Sequence, residues 1–276
     1  MLCGDRTIAP HELAQEAEAR GFESLFLPEH THIPVARTTP YPGGEPLPEE
    51  LARLHDPFVA LAAAAAVTTR LRLGTGVCLV VERDPIVLAK EVASLDVLSG
   101  GRFVFGVGFG WNAEEMADHG ADPSKRRAIT REKLLAMKAL WAEDEASFTG
   151  EHVQFPPSWS WPKPVQRPHP PVLLGGQAGE GLFRHVAEWA DGWIPFGGAG
   201  VREQLPRLHA AAEAAGRDPD SIRLTIFGAR PDPEALEHYA SMGVDRTVLA
   251  LRPAPRDQTL PALDRRAPLI ERLIAG

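Results

Sequence analysis

Apolar residues along the chain alternate between two patterns, a helical spacing on one face and short unbroken runs of strand character. Ala9 to Arg20 is Ala- and Glu-rich at helical spacing and stops at Gly21, a C-cap signal. Ser24 to Pro28 follows as a short apolar strand. Asp56-Pro57 opens an alanine-rich helix to Thr69, with Asp as N-cap and Pro in the first turn, and Leu71 to Val77 reads as the next strand. Asp84-Pro85 starts a helix to Leu98, Gly100-Gly101 ends it, and Arg102 to Val107 is a strand. The same order continues with helix Ser124 to Trp141, strand Val172 to Leu174, helix Gln177 to Ala190 and strand Asp191 to Pro195. It runs on through helix Val201 to Ala215, strand Ile222 to Phe227, helix Asp232 to Met242, strand Arg246 to Leu251 and a last helix Leu260 to Ala275. Short apolar strands, each followed by a helix, predict a parallel sheet covered by helices. A (β/α)8 TIM barrel in one domain over 1–276 fits best.

The barrel's first strand is short or missing, since only Met1 to Gly4 precede the first helical region. Either the barrel opens on a stub or the chain begins downstream of a longer form. Two irregular stretches stand out. Residues 29–55 hold five prolines, follow a strand on the C-terminal face where barrel active sites lie, and read as an active-site lid. Residues 145–171 are rich in proline and carry Trp159 and Trp161, a surface excursion or subunit contact.

Composition narrows the function class. No apolar run approaches the ~18 residues needed to span a bilayer, and no secretory signal opens the chain, so a cytoplasmic protein without membrane contact is expected. Two cysteines, Cys3 and Cys78, are too few for a disulfide scaffold or a thiolate metal cluster. A net charge of −8 disfavours nucleic acid and favours small-molecule partners.

Candidate chemistry gathers at strand ends. Glu29, His30 and His32 end the strand at Pro28, where an imidazole can move protons near neutral pH and a neighbouring carboxylate can fix its tautomer. His30-Thr31-His32 also has the spacing of a metal-dependent barrel hydrolase, but the later strand ends at Val107, Gly175, Pro195 and Gly228 offer no further ligands, so no metal is expected. Gly74-Thr75-Gly76-Val77 leaves room for a ligand to approach backbone. Gly106-Val107-Gly108-Phe109-Gly110-Trp111 partly matches a dinucleotide fingerprint, yet it follows the wrong strand and leads into a polar loop at Asn112 to Glu115. Gly175-Gly176-Gln177 opens a helix whose N–H groups suit a phosphate. Together these describe a planar, phosphate-bearing cofactor across the barrel mouth.

The run from Asp84-Pro85 through Leu95-Asp96-Val97-Leu98-Ser99-Gly100-Gly101-Arg102-Phe103 to Gly106–Asn112 resembles the signature of the bacterial luciferase-like monooxygenase superfamily. Leu173-Leu174-Gly175-Gly176, Ala190-Asp191-Gly192-Trp193, Phe148-Thr149-Gly150 and Pro162-Lys163-Pro164 resemble its later motifs, in order. Leu25 to Pro34 is similar to the coenzyme F420-dependent oxidoreductase branch. The resemblance implies a luciferase-like barrel, often a homodimer, that binds F420 or alternatively FMN and works on a small organic substrate. It implies hydride transfer with F420, or a two-component monooxygenase with FMN. It further implies a non-prolyl cis peptide at Gly76-Val77, and cofactor contacts from Gly76, Val77, Gly108, Phe109, Gly110, Trp111, Gly175, Gly176 and Gln177. His30 matches the acid/base of deazaflavin-dependent sugar-phosphate dehydrogenases, with Glu29 where those have an aspartate. Trp111 replaces their glutamate and favours an apolar or aromatic substrate.

Overall fold

Asp56 and Asp84 each accept two backbone N–H bonds, from Phe58 and Val59 and from Ile86 and Val87, with proline in the first turn behind them. These caps fix the starts of two helices where the sequence places them. A computed structural model describes residues 1–270. Its helices are α1 (Pro10–Ala19), α2 (Pro57–Ala66), α3 (Pro85–Leu98), α4 (Ala113–Asp118), α5 (Arg126–Ala142), α6 (Glu180–Trp189), α7 (Val201–Ala214), α8 (Pro233–Ala240) and α9 (Arg256–Asp264). The strands are β1 (Ser24–Leu27), β2 (Arg72–Thr75), β3 (Cys78–Leu79), β4 (Phe103–Gly108), β5 (Ala146–Thr149), β6 (Gln154–Ser158), β7 (Val172–Gly175), β8 (Gly192–Ile194), β9 (Arg223–Ala229) and β10 (Arg246–Leu249).

The main sheet is parallel throughout, in the order β1-β2-β4-β7-β8-β9-β10, with β3 added beside β4. It curls into a nearly closed barrel. At the remaining gap Arg246 of β10 forks onto Glu23, just before β1, at 2.7 and 2.8 Å, and lies over the Phe26 ring. Burial pushes the Glu23 carboxyl up, but the Arg246 bonds prevail and hold it below the usual carboxylate range. No strand forms among residues 1–8. They cover the gap through isolated bonds instead: the Met1 amino group to Phe26 O, His55 N to Cys3 O, Ile8 N to Ala254 O, and a bridge from Gly4 to Leu54.

Phe26, Val104, Leu173 and Ile194 fill the barrel interior, with Val77, Phe227 and Val248 packed on them. The larger core lies between strands and helices, around Phe103, Phe105, Trp141 and Phe183. Several expectations are corrected. The polar loop after Trp111 contains α4, and the helix expected from Gln177 starts only at Glu180, because Gly176 (φ 150°) and an extended Gly179 keep the turn open. The excursion 145–171 contains the antiparallel pair β5-β6. The helix expected from Leu260 starts earlier, at Arg256, is interrupted by a turn at residues 265–266 and is helical again over 267–270, and its expected end, residues 271–275, lies outside the described residues.

Candidate active site at the barrel mouth

The Gly76-Val77 peptide is cis. Val77 is half-buried, and its side chain sits between Gly108 and Gly175. A Cβ added at Gly108 would come within 2.5 Å of Val77 Cγ2, and one at Gly175 within 3.0 Å of Val77 Cγ1. Gly76 likewise faces the Phe227 ring, 2.4 Å from where its Cβ would stand. The glycines at two strand ends, Gly108 and Gly175, are therefore required by Val77 and Gly76 by the Phe227 ring, and Val77 with Phe227 makes a smooth floor on top of the interior cluster.

His30 stands at the rim with an almost fully buried side chain. Its Nδ1 is 2.7 Å from Glu115 Oε2, and Glu115, wholly buried on α4, also accepts the Thr31 N–H at 3.1 Å. The Trp111 indole N–H donates to His30 Nε2 at 3.2 Å. An indole N–H can only donate, so Nε2 is the bare nitrogen and Nδ1 carries the proton toward Glu115. Asn112 is the N-cap of α4 and Glu115 stands three residues in, the positions of a capping box, yet neither side chain caps the helix. Glu115 turns to His30 instead.

Glu29 is not part of this group. It is buried at 4% exposure, accepts the Leu79 N–H at 2.6 Å and pairs with Arg83 Nε at 2.5 Å. Arg83 also binds Asp56 and, at 3.0 Å, Glu91. Burial alone would lower the Arg83 pKa, and the Glu29 charge more than offsets it, so the guanidinium is held charged. The expectation of Glu29 as the partner of His30 gives way to Glu115. Neighbouring residues in an extended segment point to opposite sides, and Glu29 faces the helix layer. His32 bonds to Asp118 at 3.0 Å and to Thr31 Oγ1 at 2.9 Å, away from His30. Among the described residues no group of three or more His, Cys, Asp or Glu side chains is arranged to hold a metal ion.

Phe109 is also placed differently from expectation. Its buried ring packs on His185 and Trp189 of α6, with Arg127 of α5 over it at 4.9 Å. Arg127 also reaches the start of α6, where Nη1 lies 3.2 Å from the Cβ position of Gly181. A cation thus stands at Gly181 in the first turn of α6, the helix that follows the exposed Gly176-Gln177 turn. Burial, then the Arg127 charge, lowers the His185 pKa.

The proline-rich segment lies on the rim and is held there by α4. Glu114 accepts from Thr38 N (2.7 Å), Thr38 Oγ1 (2.6 Å) and Thr39 N (3.2 Å), and these bonds hold its carboxyl well below the usual range. Arg37 lies over the Trp111 ring at 5.6 Å and Tyr41 meets it edge-on at 5.5 Å. Trp111 therefore connects this segment to His30.

The family model described as luciferase-like monooxygenase matches residues 10–266. The chain belongs to the luciferase-like monooxygenase family. An uncharacterized protein of Mycobacterium tuberculosis is 45% identical over 273 residues, covering 97% of this chain and 95% of its own. The F420-dependent glucose-6-phosphate dehydrogenase of Kineococcus radiotolerans is 30% identical over 228 residues, 79% of this chain and 63% of its own. The crystal structure of monooxygenase RslO1 from Streptomyces bottropensis superposes with a TM-score of 0.77 at 23% identity, covering 95% of this chain and 92% of that one. Luciferase-like relatives thus include F420-dependent enzymes, and also an FMNH2-dependent dimethylsulfone monooxygenase of Pseudomonas putida, 28% identical over 57% of this chain and 49% of its own. The fold is the luciferase-like TIM barrel, and members of this family are oxidoreductases. No helix among the described residues is long and apolar enough to cross a membrane.

Proposed function

We propose that this luciferase-like protein transfers hydride between the deazaflavin coenzyme F420 and a small organic substrate, with His30 Nε2 as the atom that gives or takes the accompanying proton. The observation that carries the reading is the chain Trp111–His30–Glu115, which ties Nδ1 to a buried carboxylate and leaves Nε2 as an acceptor whose Trp111 N–H bond a substrate proton must displace. Glu115 fixes the Nδ1–H tautomer and stabilises the imidazolium that forms when Nε2 takes a proton. The floor at Gly76, Val77 and Phe227, kept free of side chains by Gly108 and Gly175, fits a planar ring. A deazaflavin, when bound, supplies or accepts a hydride and does not readily activate oxygen, as a reduced flavin does.

In this reading Gly76 and Val77 support the ring, and Gly108, Gly110 and Trp111 border it. Gly175, Gly176 and Gln177, with Arg127 at the start of α6, hold the phosphate. Phe109 acts indirectly, through its contact with Arg127. Trp111, Tyr41 and Arg37 give the substrate side an aromatic wall, which favours an apolar or aromatic substrate. The preference for F420 over FMN is supported by the Leu25–Pro34 motif and by the F420-dependent relative. The test is His30→Ala, screened with reduced and oxidised F420 against ketones, enones and alcohols. Retained cofactor binding with turnover reduced by about 10²-fold or more is expected. Full turnover in the variant overturns the role of His30, and oxygen consumption with reduced FMN favours a monooxygenase instead.

A further inference from the structure

Phe196 follows β8 at the barrel mouth, and the reading above gives it no role. It is 80% exposed, while Trp111, Tyr41 and Phe227 around the same mouth are half-buried. A single exposed phenylalanine is ordinary on a protein surface, but this one is held in place on both sides. Gly197 N donates to Phe227 O at 2.8 Å and Phe227 N to Pro195 O at 2.9 Å, so Phe196 and Phe227 are bridged in register on neighbouring parallel strands. Partners in such a bridge point to the same side of the sheet, and Phe227 points inward, against Gly76 and the Phe26 ring. The rings form a column out of the interior. Phe26, 1% exposed, meets Phe227 edge-on at 6.5 Å, and Phe227 carries Phe196 at 6.2 Å with a tilt of 49°. Two glycines keep the last ring where it is. A Cβ at Gly228 (φ 73°) would come within 2.8 Å of Phe196 Cε2, and one at Gly198 within 2.6 Å of Tyr239 Oη, which donates to Gly197 O at 3.1 Å.

We propose that Phe196 is a specificity-determining residue, the far wall of a substrate cleft that takes flat apolar carbonyl compounds or alcohols, aromatic ones above all, and excludes strongly hydrated ones. The strand order puts β8 and β9 across the barrel from β1, so Phe196 stands opposite the rim that carries His30, with the floor of Val77 and Phe227 between them. The two walls differ in kind. On the His30 side Trp111 is an indole engaged with Arg37, Tyr41 and His30, whereas Phe196 is a bare hydrocarbon ring without donor or acceptor. A ligand ring set against Phe196 covers apolar surface that water now covers, and only an apolar ligand makes that gain. The hydroxyls of a sugar would lose water there and find no hydrogen bond in return. The proposal rests on the reading of the mouth as the substrate site, and names the side chain that selects the substrate.

The experiment uses the full chain with carbon-labelled phenylalanine rings, with and without oxidised F420, followed by NMR during titration with acetophenone and, as a polar ring of similar size, with glucose. Acetophenone is expected to bind saturably and to shift the Phe196 and Phe227 ring signals, while the stacked Phe148 and Phe155 rings of β5 and β6 stay unmoved. Glucose should shift none of them. Phe196→Ala should weaken acetophenone binding about 5- to 10-fold, with an unchanged melting curve because the ring is exposed, and Phe196→Trp should keep it within about 2-fold. Unchanged affinity in Phe196→Ala, a silent Phe196 ring when acetophenone binds, equal binding of glucose, or no saturation in either sample overturns the proposal. Absence of hydride transfer from reduced F420 to any ketone, with Phe196-dependent binding intact, would instead overturn the functional reading and leave the selectivity of the cleft standing.

Discussion

Exchanging Glu29 and Arg83, singly and together, distinguishes a buried structural ion pair from a catalytic carboxylate. In Arg83→Met, Glu29 keeps the Leu79 N–H but loses its counter-charge at 4% exposure. An uncompensated buried charge of this kind costs about 3–5 kcal/mol. Asp56 and Glu91 lose the same partner but are more than 30% exposed in their side chains, so water replaces most of it for them. Glu29→Gln keeps an acceptor for Leu79 and leaves Arg83 with two carboxylates, so it should lose about 1.5–3 kcal/mol, the worth of a charged hydrogen bond. The double variant contains no stranded charge and should recover about 2 kcal/mol relative to the sum of the single changes. Urea denaturation gives the three stabilities, and the His30 ring NMR signals of Glu29→Gln give the second readout. A cost below about 1 kcal/mol for Arg83→Met, or altered His30 signals in Glu29→Gln, would refute the structural assignment.

Three further outcomes follow from the same geometry. Gly108→Ala puts a methyl against Val77 Cγ2, and should cost about 1–3 kcal/mol in stability and weaken binding of a planar cofactor, read by melting and by titration. Trp111→Phe removes the only donor to His30 Nε2 among the described residues, so the ring-nitrogen signals should move toward a solvated imidazole while Nδ1 stays bonded to Glu115; unchanged signals would deny the bond. Because burial holds the native Glu82 pKa above its unfolded value of 4.5, the folded state holds the extra proton, and wild-type stability falls as pH rises from 4.5 toward about 9. Glu82→Gln removes that slope, and should gain on the wild type by about 3 kcal/mol between pH 4.5 and pH 7 in parallel denaturation series.

The alternation of helix and strand was legible because its signals are local. Asp-Pro at residues 56–57 and 84–85 caps a helix from within its own first turn, and apolar runs such as Phe103 to Val107 leave little choice but a buried strand. Gly76 was legible as a close-approach position, whereas the crowding of Gly76 by Phe227 and of Gly108 and Gly175 by Val77 emerges only in three dimensions. The partner of His30 was not legible. Glu115 lies 85 residues away on a six-residue helix whose Asn112-Ala113-Glu114-Glu115 start reads as a polar loop. Sequence adjacency instead favoured Glu29, which the alternation of side chains along an extended segment sends to the opposite side. Arg127 escaped notice for a similar reason, since it reaches Gly181 at the start of α6 from a different helix.

The account's central claim is that the barrel mouth takes a deazaflavin and handles its substrate's proton at His30. Parallel fluorescence and absorbance titrations of the purified protein with oxidised F420 and with FMN test it most directly. Saturable binding of F420 at micromolar concentration or below, with FMN binding at least ~10-fold weaker, a gap of about 1.4 kcal/mol, is the predicted result. Tight FMN binding with no saturation by F420 would contradict it and make the protein a flavin-dependent monooxygenase.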